Sequence, residues 1–309
     1  MTSHEIAELR KKTYNATVTQ LRLANPDLAI LRVRPDAGVA PHRPGQYSTL
    51  GLGHWEPRAP GCQEEIPKPG EEKKLIRRAY SISCSVLDDQ GELLNRERQD
   101  YLEFYIVLVR QAEKAPPALT PRLFMLKEGD RIFLGEKIAG HFTLEPVQPT
   151  DNVIFLSTGT GEAPHNYMLW ELLGKDHQGR ILAACCVRYK QDLGYLALQE
   201  ELMRRYPHYT YLSLTTREVT NAGQKGYIQD LITSGQLEER MGEVLDPARA
   251  HVYLCGNPKM IGAPSIDKST GLSIFPQPLG VIEILSKRGF HQDQPSAKVK
   301  GNIHIEEYW

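Results

Sequence analysis

No run of apolar residues in this chain approaches the ~18 needed to cross a bilayer as a helix, so no membrane span is expected. An excess of either charge is missing too: 37 Lys and Arg stand against 38 Asp and Glu, for a formal net charge of −1. Without a global field, nucleic acid and membrane surfaces are not expected partners, and any basic docking surface must be local. Cysteine is sparse and irregular, at Cys62, Cys84, Cys185, Cys186 and Cys255. That odd, scattered set excludes a disulfide framework and a Cys-x-x-Cys metal clip. It also lacks a four-cysteine iron–sulfur signature, so a one-electron partner would be a separate molecule. Met1 to Lys12 has no apolar segment of signal-peptide type and carries Glu5 and Glu8, which makes a cytoplasmic protein the expectation. Internal repeats and low-complexity tracts are absent as well.

What is present divides into two halves. A chain of 309 residues suggests two domains of roughly 150 residues. From residue 14 to 148, β-rich runs such as Ala16-Thr17-Val18-Thr19, Ile30-Leu31-Arg32-Val33 and Phe104 to Val109 alternate with Gly/Pro punctuation. Leu126 to Leu134 reads as a turn feeding another strand. About six strands with few helices predict a small antiparallel β-barrel. His54 to Lys74, rich in Pro, Gly, Glu and Lys, breaks that rhythm and reads as an inserted surface loop, expected to be mobile.

After residue 150 strands and helices alternate. Val153–Leu156, Ile181–Val187, Tyr211–Leu214 and His251–Leu254 are apolar runs of the kind buried on both faces. Leu198, Leu202, Met203 and Tyr206 share one helical face, as do Ile228, Leu231 and Ile232. This predicts a parallel α/β sheet whose ligands bind beyond the strand carboxyl ends. Residues 263–280 read as irregular, and Val281 to Lys287 as a last helix stopped by Gly289. The expected division is 1–148 and 149–309.

Two phrases carry the chemistry. Arg78-Ala79-Tyr80-Ser81 puts a cation, a flat ring and a hydroxyl on one short stretch, suiting a phosphate, a stacked ring system and a hydrogen-bonded ring atom. Period-two alternation sets Ser81 on the face opposite Arg78 and Tyr80, and an ordinary strand end fits the same four residues. Ser157-Thr158-Gly159-Thr160-Gly161-Glu162-Ala163-Pro164 ends an apolar run and opens a helix-like run from Asn166. Such a glycine-rich strand-to-helix turn lets backbone N–H groups approach a pyrophosphate. Glu162 would repel that pyrophosphate, and is expected to turn towards solvent. A third element, Leu119-Thr120-Pro121, reads as a helix start with Thr120 at the N-cap and Pro121 in the first turn. It presents free N–H groups to an anion, although a plain capped helix reads identically.

These motifs, with Cys255-Gly256-Asn257-Pro258 and Met260 and the terminal Glu306-Glu307-Tyr308-Trp309, resemble the ferredoxin–NADP reductase family of FAD flavoproteins. The likeness runs in order along nearly the whole chain, apart from 54–74 and 263–280. It implies a barrel that binds FAD, then a sheet that binds NADP. By that resemblance Tyr80 stacks on the flavin, Ser81 hydrogen-bonds its reactive ring nitrogen and Arg78 holds the pyrophosphate. Ile106, Val107, Leu108, Leu119 and Thr120 would line the FAD. Thr158, Gly159, Thr160 and Gly161 would take the NADP pyrophosphate, with Val187 and Arg188 on the next strand and Gly256, Asn257 and Pro258 beyond. From sequence alone a small buried core thiol is the favoured reading of Cys255; the resemblance instead places it by the nicotinamide carbon that exchanges hydride. Tyr308 would stack on the free flavin face, Trp309 would reach the FAD adenine, and Glu306 would be the acid near the flavin, with Glu307 as the alternative.

Cofactor choice follows from charge. Thr216 and Arg217, followed by Lys225, Tyr227 and Gln229, resemble the plant-type set around the 2′-phosphate and adenine of NADP. Two cationic hydrogen bonds at about 1.5–3 kcal/mol each favour NADP over NAD, less a discount for solvent. Lys73, Lys74 and Arg77 stand just before the flavin motif, a local patch for an acidic ferredoxin or flavodoxin; a solvated strand flank fits the same residues. The expected function is therefore an FAD-dependent ferredoxin (or flavodoxin)–NADP reductase. Two alternatives stand beside it: an oxygenase reductase component or NADH-linked cytochrome reductase, and a non-catalytic flavin-binding module.

Overall fold

The computed structural model describes residues 1–218, 224–267, 269, 272–293 and 299–308, with backbone only for Gln224 and Lys225. It contains two units, Met1–His141 and Phe142–Trp309. The division falls a few residues before the one expected at 148. Phe142 packs its ring on Tyr253 at 5.4 Å, and the Tyr253 hydroxyl donates to the Thr143 carbonyl at 3.0 Å. Those contacts assign this stretch to the second unit.

The first unit runs α1 (Ser3–Thr13), β1 (Ala16–Asn25), β2 (Leu28–Pro35), β3 (Tyr47–Gly53), β4 (Leu75–Ser83), β5 (Leu102–Val107), α2 (Thr120–Leu123) and β6 (Arg131–Leu134). The strands close into an antiparallel barrel in the order β1-β2-β5-β4-β3-β6, as the alternation predicts. Ile132 and Leu134 point into its core. Arg131, between Thr17 and Asp36, faces out. Helix α1 was not legible in the sequence because none of its residues is buried, so no apolar stripe marks it. Local chemistry makes it instead: Thr2 and Glu5 form a reciprocal cap, and Arg10, Lys11 and Lys12 occupy the last turn.

Residues 54–74 form a loop between β3 and β4, closed at its base by His54 N–H to the Lys74 carbonyl. The loop is more firmly tied than its composition suggests. Glu65 accepts from Arg58 at 2.7 Å and from Arg122 at 2.5 Å, and Arg122 is only 3% exposed. Ala59 N–H donates to the Pro121 carbonyl and Gln63 N–H to the Arg110 carbonyl.

The second unit runs β7 (Asn152–Thr158), α3 (Glu162–Gly174), β8 (Ile181–Val187), α4 (Leu196–Arg205), β9 (Tyr209–Thr215), β10 (Gln224–Lys225), α5 (Ile228–Thr233), α6 (Gln236–Met241), β11 (Ala250–Gly256), α7 (Pro258–Ile261), β12 (Ser265–Ile266), β13 (Ser273–Ile274), α8 (Val281–Ser286) and β14 (Ile303–Glu307). Six of the strands form a parallel sheet ordered β10-β9-β8-β7-β11-β14. The central strands β7, β8 and β11 are buried almost throughout, which explains their unbroken apolar text. The stretch read as irregular holds a short antiparallel hairpin, β12 with β13. Helix α8 stops before Gly289, at φ +87°.

Candidate functional site

In the barrel, β4 does not end at the flavin-like motif but continues to Ser83. Its register with β3 pairs Ser48 with Tyr80 and Tyr47 with Ser81, so Arg78 and Tyr80 share one face and Arg77 and Ser81 the other. Ser81 is buried and Tyr80 half-buried; burial raises the Tyr80 pKa, keeping the phenol neutral. Arg77 lays its guanidinium over the Phe133 ring at 4.3 Å. Arg78 donates to the Arg77 carbonyl and makes no ion pair among the described residues.

The β4–β5 ladder consists of Ile82 with Phe104 and Ser83 with Glu103. It stops where Tyr80–Ser81 begins on one strand and Ile106–Val107 on the other. Ile106 and Leu108 are buried and Val107 exposed. Val109 N–H donates to Thr120 Oγ1 at 3.1 Å, which joins this strand end to α2. That bond also corrects the sequence reading of α2. Leu119, without a side-chain cap bond, holds the cap position and Thr120 lies inside the helix, because the Thr120 hydroxyl is engaged across the loop. Beside the motif, a hollow of about 580 Å³ is lined by Thr13, Lys73, Lys74, Leu75, Arg77 and Arg78. Glu5 faces Lys73 at 3.3 Å and Glu71 faces Lys74 at 3.8 Å, so part of that positive charge is balanced.

In the sheet, the expected residues gather at the carboxyl ends of β7, β8, β9, β11 and β14. Gly159–Gly161 is a single tight helical turn between β7 and α3. Gly159 has φ +53°, and a Cβ there would meet nothing within 4 Å. Gly161 packs on the chain behind it: its Cβ would lie 2.4 Å from the Cys255 carbonyl oxygen. Gly256, at φ +122°, is constrained twice, since a Cβ would come within 2.3 Å of Thr158 Oγ1. The loop therefore presents open backbone on one side and is braced on the other.

Cys255 is fully buried, and burial, followed by the charge of Glu306, drives its thiol pKa well up, while the Tyr308 side chain opposes that rise. Glu306 stands opposite Cys255 in the parallel β11–β14 ladder, and Tyr308 N–H donates to the Gly256 carbonyl at 3.1 Å. Cys255, Glu306 and Tyr308 thus lie on one rim. Trp309 lies outside the described residues.

On the neighbouring edge, Arg217 N–H donates to the Arg188 carbonyl at 2.9 Å, and Thr216 N–H to the Val187 carbonyl at 3.0 Å. Arg188 and Arg217 are both exposed, and neither makes an ion pair among the described residues. Lys225 extends β10 opposite Thr215; its side chain lies outside what is described. Tyr227 is exposed. Gln229 points back into the protein, towards the Lys259 and Leu279 carbonyls. Asn257 caps α7 through Lys259 N–H, with Pro258 in its first turn.

Glu162 contradicts its reading. It does not turn to solvent but is 3% exposed, with Oε1 accepting from Gln199 Nε2 at 3.1 Å. Gln199, Asn166, Tyr209 and Tyr211 complete a buried polar cluster behind the loop. Of these residues only Tyr211 lies in a run read as a buried strand, and nothing in the sequence linked them to one another.

The family described as "Oxidoreductase NAD-binding domain" matches residues 155–265. The chain is 33% identical to the flavodoxin/ferredoxin–NADP reductase of Escherichia coli (strain K12), over 75% of this chain and 81% of that one. The chain belongs to the ferredoxin–NADP reductase family. Within the family it is also 30% identical to the flavodoxin/ferredoxin–NADP reductase of Buchnera aphidicola subsp. Schizaphis graminum, over 73% of this chain and 79% of that one. The fold is similar to that of a ferredoxin NADP+ reductase from Neisseria gonorrhoeae with bound FAD and NADP (TM-score 0.69, 20% identity, 96% of this chain and 98% of that one). A neighbour in fold alone is the pair of CS-b5R domains of human Ncb5or in an NAD+ form (TM-score 0.67, 16% identity, 94% and 68%). Fold does not separate these last two; the family rests on the 30–33% identical relatives.

Proposed function

We infer that this reductase binds FAD and NADP and passes electrons between NADPH and an acidic ferredoxin or flavodoxin. One observation carries the reading: Thr158, Gly161, Cys255, Gly256, Glu306 and Tyr308 are interlocked on one rim of a parallel sheet. That arrangement suits a dinucleotide at the carboxyl ends of the strands. The residues fit both groups. The open face at Gly159 admits a pyrophosphate to backbone N–H groups. Arg188 and Arg217 supply two uncommitted guanidiniums for a 2′-phosphate. On the barrel, Arg78 has no ion pair among the described residues and stands beside a neutral Tyr80 ring, which suits a flavin diphosphate and a stacked isoalloxazine.

FAD, when bound, supplies the chemistry of exchanging electrons in pairs with a nicotinamide and singly with a protein carrier. The protein's part is positioning. Ser81 offers a hydroxyl to the flavin ring, and Ile106, Val107, Leu108, Leu119 and Thr120 form the wall beside it. Cys255, kept as a neutral thiol by burial, packs without reacting. Glu306 is the acid of the rim, opposite Cys255. Tyr308 guards the flavin face. Thr216, Lys225, Tyr227, Gln229, Asn257 and Pro258 complete the nucleotide site. Lys73, Lys74 and Arg77 form the basic hollow for the carrier. Arg188 and Arg217, without ion pairs among the described residues, favour NADPH over NADH.

Stopped-flow mixing of the FAD-loaded protein with each nucleotide tests the reading. Rapid bleaching of the flavin by NADPH, with little by NADH, is expected. Purified protein that retains no FAD, or flavin bleached equally well by both nucleotides, would overturn it.

A further inference from the structure

Glu162 is the first residue of α3, directly after the loop that receives the pyrophosphate in the reading above. Its side chain runs inward, and no cation among the described residues is a cause of its shift. Every element packed against it contributes a neutral group: Asn166 from α3, Gln199 from α4, Cys185 from β8, and Tyr209 and Tyr211 from β9. Gln199 is committed on both sides. Its amide nitrogen serves Glu162 Oε1 at 3.1 Å and Asn166 Oδ1 at 2.7 Å, and its oxygen accepts from the Tyr209 hydroxyl at 2.6 Å. The Tyr211 hydroxyl faces the same carboxyl and favours its charged form, but neither it nor Glu162 Oε2 completes a hydrogen bond of good geometry. Burial raises Cys185, Tyr209 and Tyr211 well above their ordinary ranges, so none of them ionises in its place. Burial also pushes the Glu162 pKa up to about 7.

A carboxylate here and a pyrophosphate on the loop are like charges separated by one turn of backbone, with little water between them to screen the repulsion. We propose that nucleotide binding is linked to a proton on Glu162: the loop holds the pyrophosphate when the carboxyl is neutral, and NADP+ binding draws a proton from solvent onto it. Linkage is reciprocal, so affinity for NADP+ falls as pH rises past the titration of the free enzyme, by at most about tenfold per pH unit. This rests on the loop being the nucleotide site, and deepens that reading.

Calorimetric titration of the FAD-loaded protein with NADP+ at about pH 8, in buffers of differing ionisation enthalpy, counts the protons taken up. At that pH the nucleotide's own 2′-phosphate, with an ordinary second pKa of about 6, stays fully ionised and adds nothing. The expected result is uptake of a substantial fraction of one proton per NADP+, abolished in Glu162→Gln, whose NADP+ affinity no longer depends on pH in this range. Adenosine 2′-phosphate, which has no pyrophosphate, should bind without the Glu162-dependent uptake. On the unaltered protein, infrared difference spectra should show a protonated carboxyl appearing as NADP+ binds, which keeps the test independent of how the variant folds. NADP+ binding with no proton uptake and no carboxyl band would overturn the linkage alone. An absence of NADP+ binding at any pH would overturn the nucleotide site itself, and the linkage with it.

Discussion

The Thr158 hydroxyl oxygen accepts the Asn257 N–H at 2.8 Å, tying the strand end that opens the Gly159–Gly161 turn to the turn after β11. Gly256, at φ +122°, is what lets the two chains come so close. In Gly256→Ala the added carbon would lie 2.3 Å from Thr158 Oγ1 and 2.8 Å from the Thr158 carbonyl. The new residue would also sit in a backbone region that costs about 1–3 kcal/mol. Thermal unfolding should show at least that loss, and NADP+ binding should weaken with it. Wild-type stability in the variant would show that the approach of the two chains is not this close.

Arg217 makes no ion pair among the described residues and is exposed on the edge it shares with Arg188. Removing it as Arg217→Ala takes away one charge-assisted hydrogen bond worth about 1.5–3 kcal/mol, and its exposure places the loss at the lower end. Affinity for NADPH should therefore fall about tenfold while that for NADH stays unchanged. Equal weakening of both nucleotides in a binding titration would remove Arg217 from the 2′-phosphate site.

Glu65 is the counter-charge of the buried Arg122, and Arg58 shares it. Glu65→Ala strands a guanidinium that is 3% exposed, a change that costs about 3–5 kcal/mol in buried pairs. The same variant removes the ion pair that ties residues 54–74 to α2, leaving the Ala59 N–H to Pro121 carbonyl bond. Limited proteolysis should then cut between 54 and 74 much faster than in the parent chain. If the cutting rate does not change, Glu65 is not what holds the loop.

Acid stability of the second unit should follow opposing titrations. Burial lowers the His165 pKa from 6.5 to about 3, and the His304 pKa falls to about 4 through burial and then the neighbouring His251. Below about pH 6.5 the unfolded chain takes up protons that the folded one refuses, so stability is lost as pH falls towards those values. Glu162 acts in the opposite sense. Its pKa is raised from 4.5 to about 7, so the folded unit holds a proton that the unfolded chain releases, and its contribution is lost as pH rises through that window. Glu162→Gln removes the opposing slope. The variant should lose stability with acid more steeply between about pH 5 and 7, by up to about 1.4 kcal/mol per pH unit. A thermal-midpoint series with unchanged slope would show that Glu162 does not titrate there.

Much of the architecture was legible because the two halves use different periodicities. Buried parallel strands write continuous apolar runs, and β7, β8, β9 and β11 fall where Val153–Leu156, Ile181–Val187, Tyr211–Leu214 and His251–Leu254 predicted. Helix α1 was not legible, since capping and surface charge build it without an apolar face. Strand β14 was missed because three of its five residues are polar: Ile303, His304, Ile305, Glu306 and Glu307 join the sheet by pairing with β11. At the site, glycines could be read for what they permit, and Gly256 and Gly161 lie in close approaches. The inward turn of Glu162 could not be read. Its burial depends on Gln199, Tyr209 and Tyr211, which lie far along the chain, and no local rule brings those residues together.

The thiols have a practical consequence. Cys84, Cys185, Cys186 and Cys255 are buried, and Cys62 alone is partly accessible. A maleimide dye or spin label should therefore attach at one position without mutagenesis. Because Gln63 beside it is bonded to Arg110, such a probe would report in real time on whether the stretch between β3 and β4 stays seated while electrons flow.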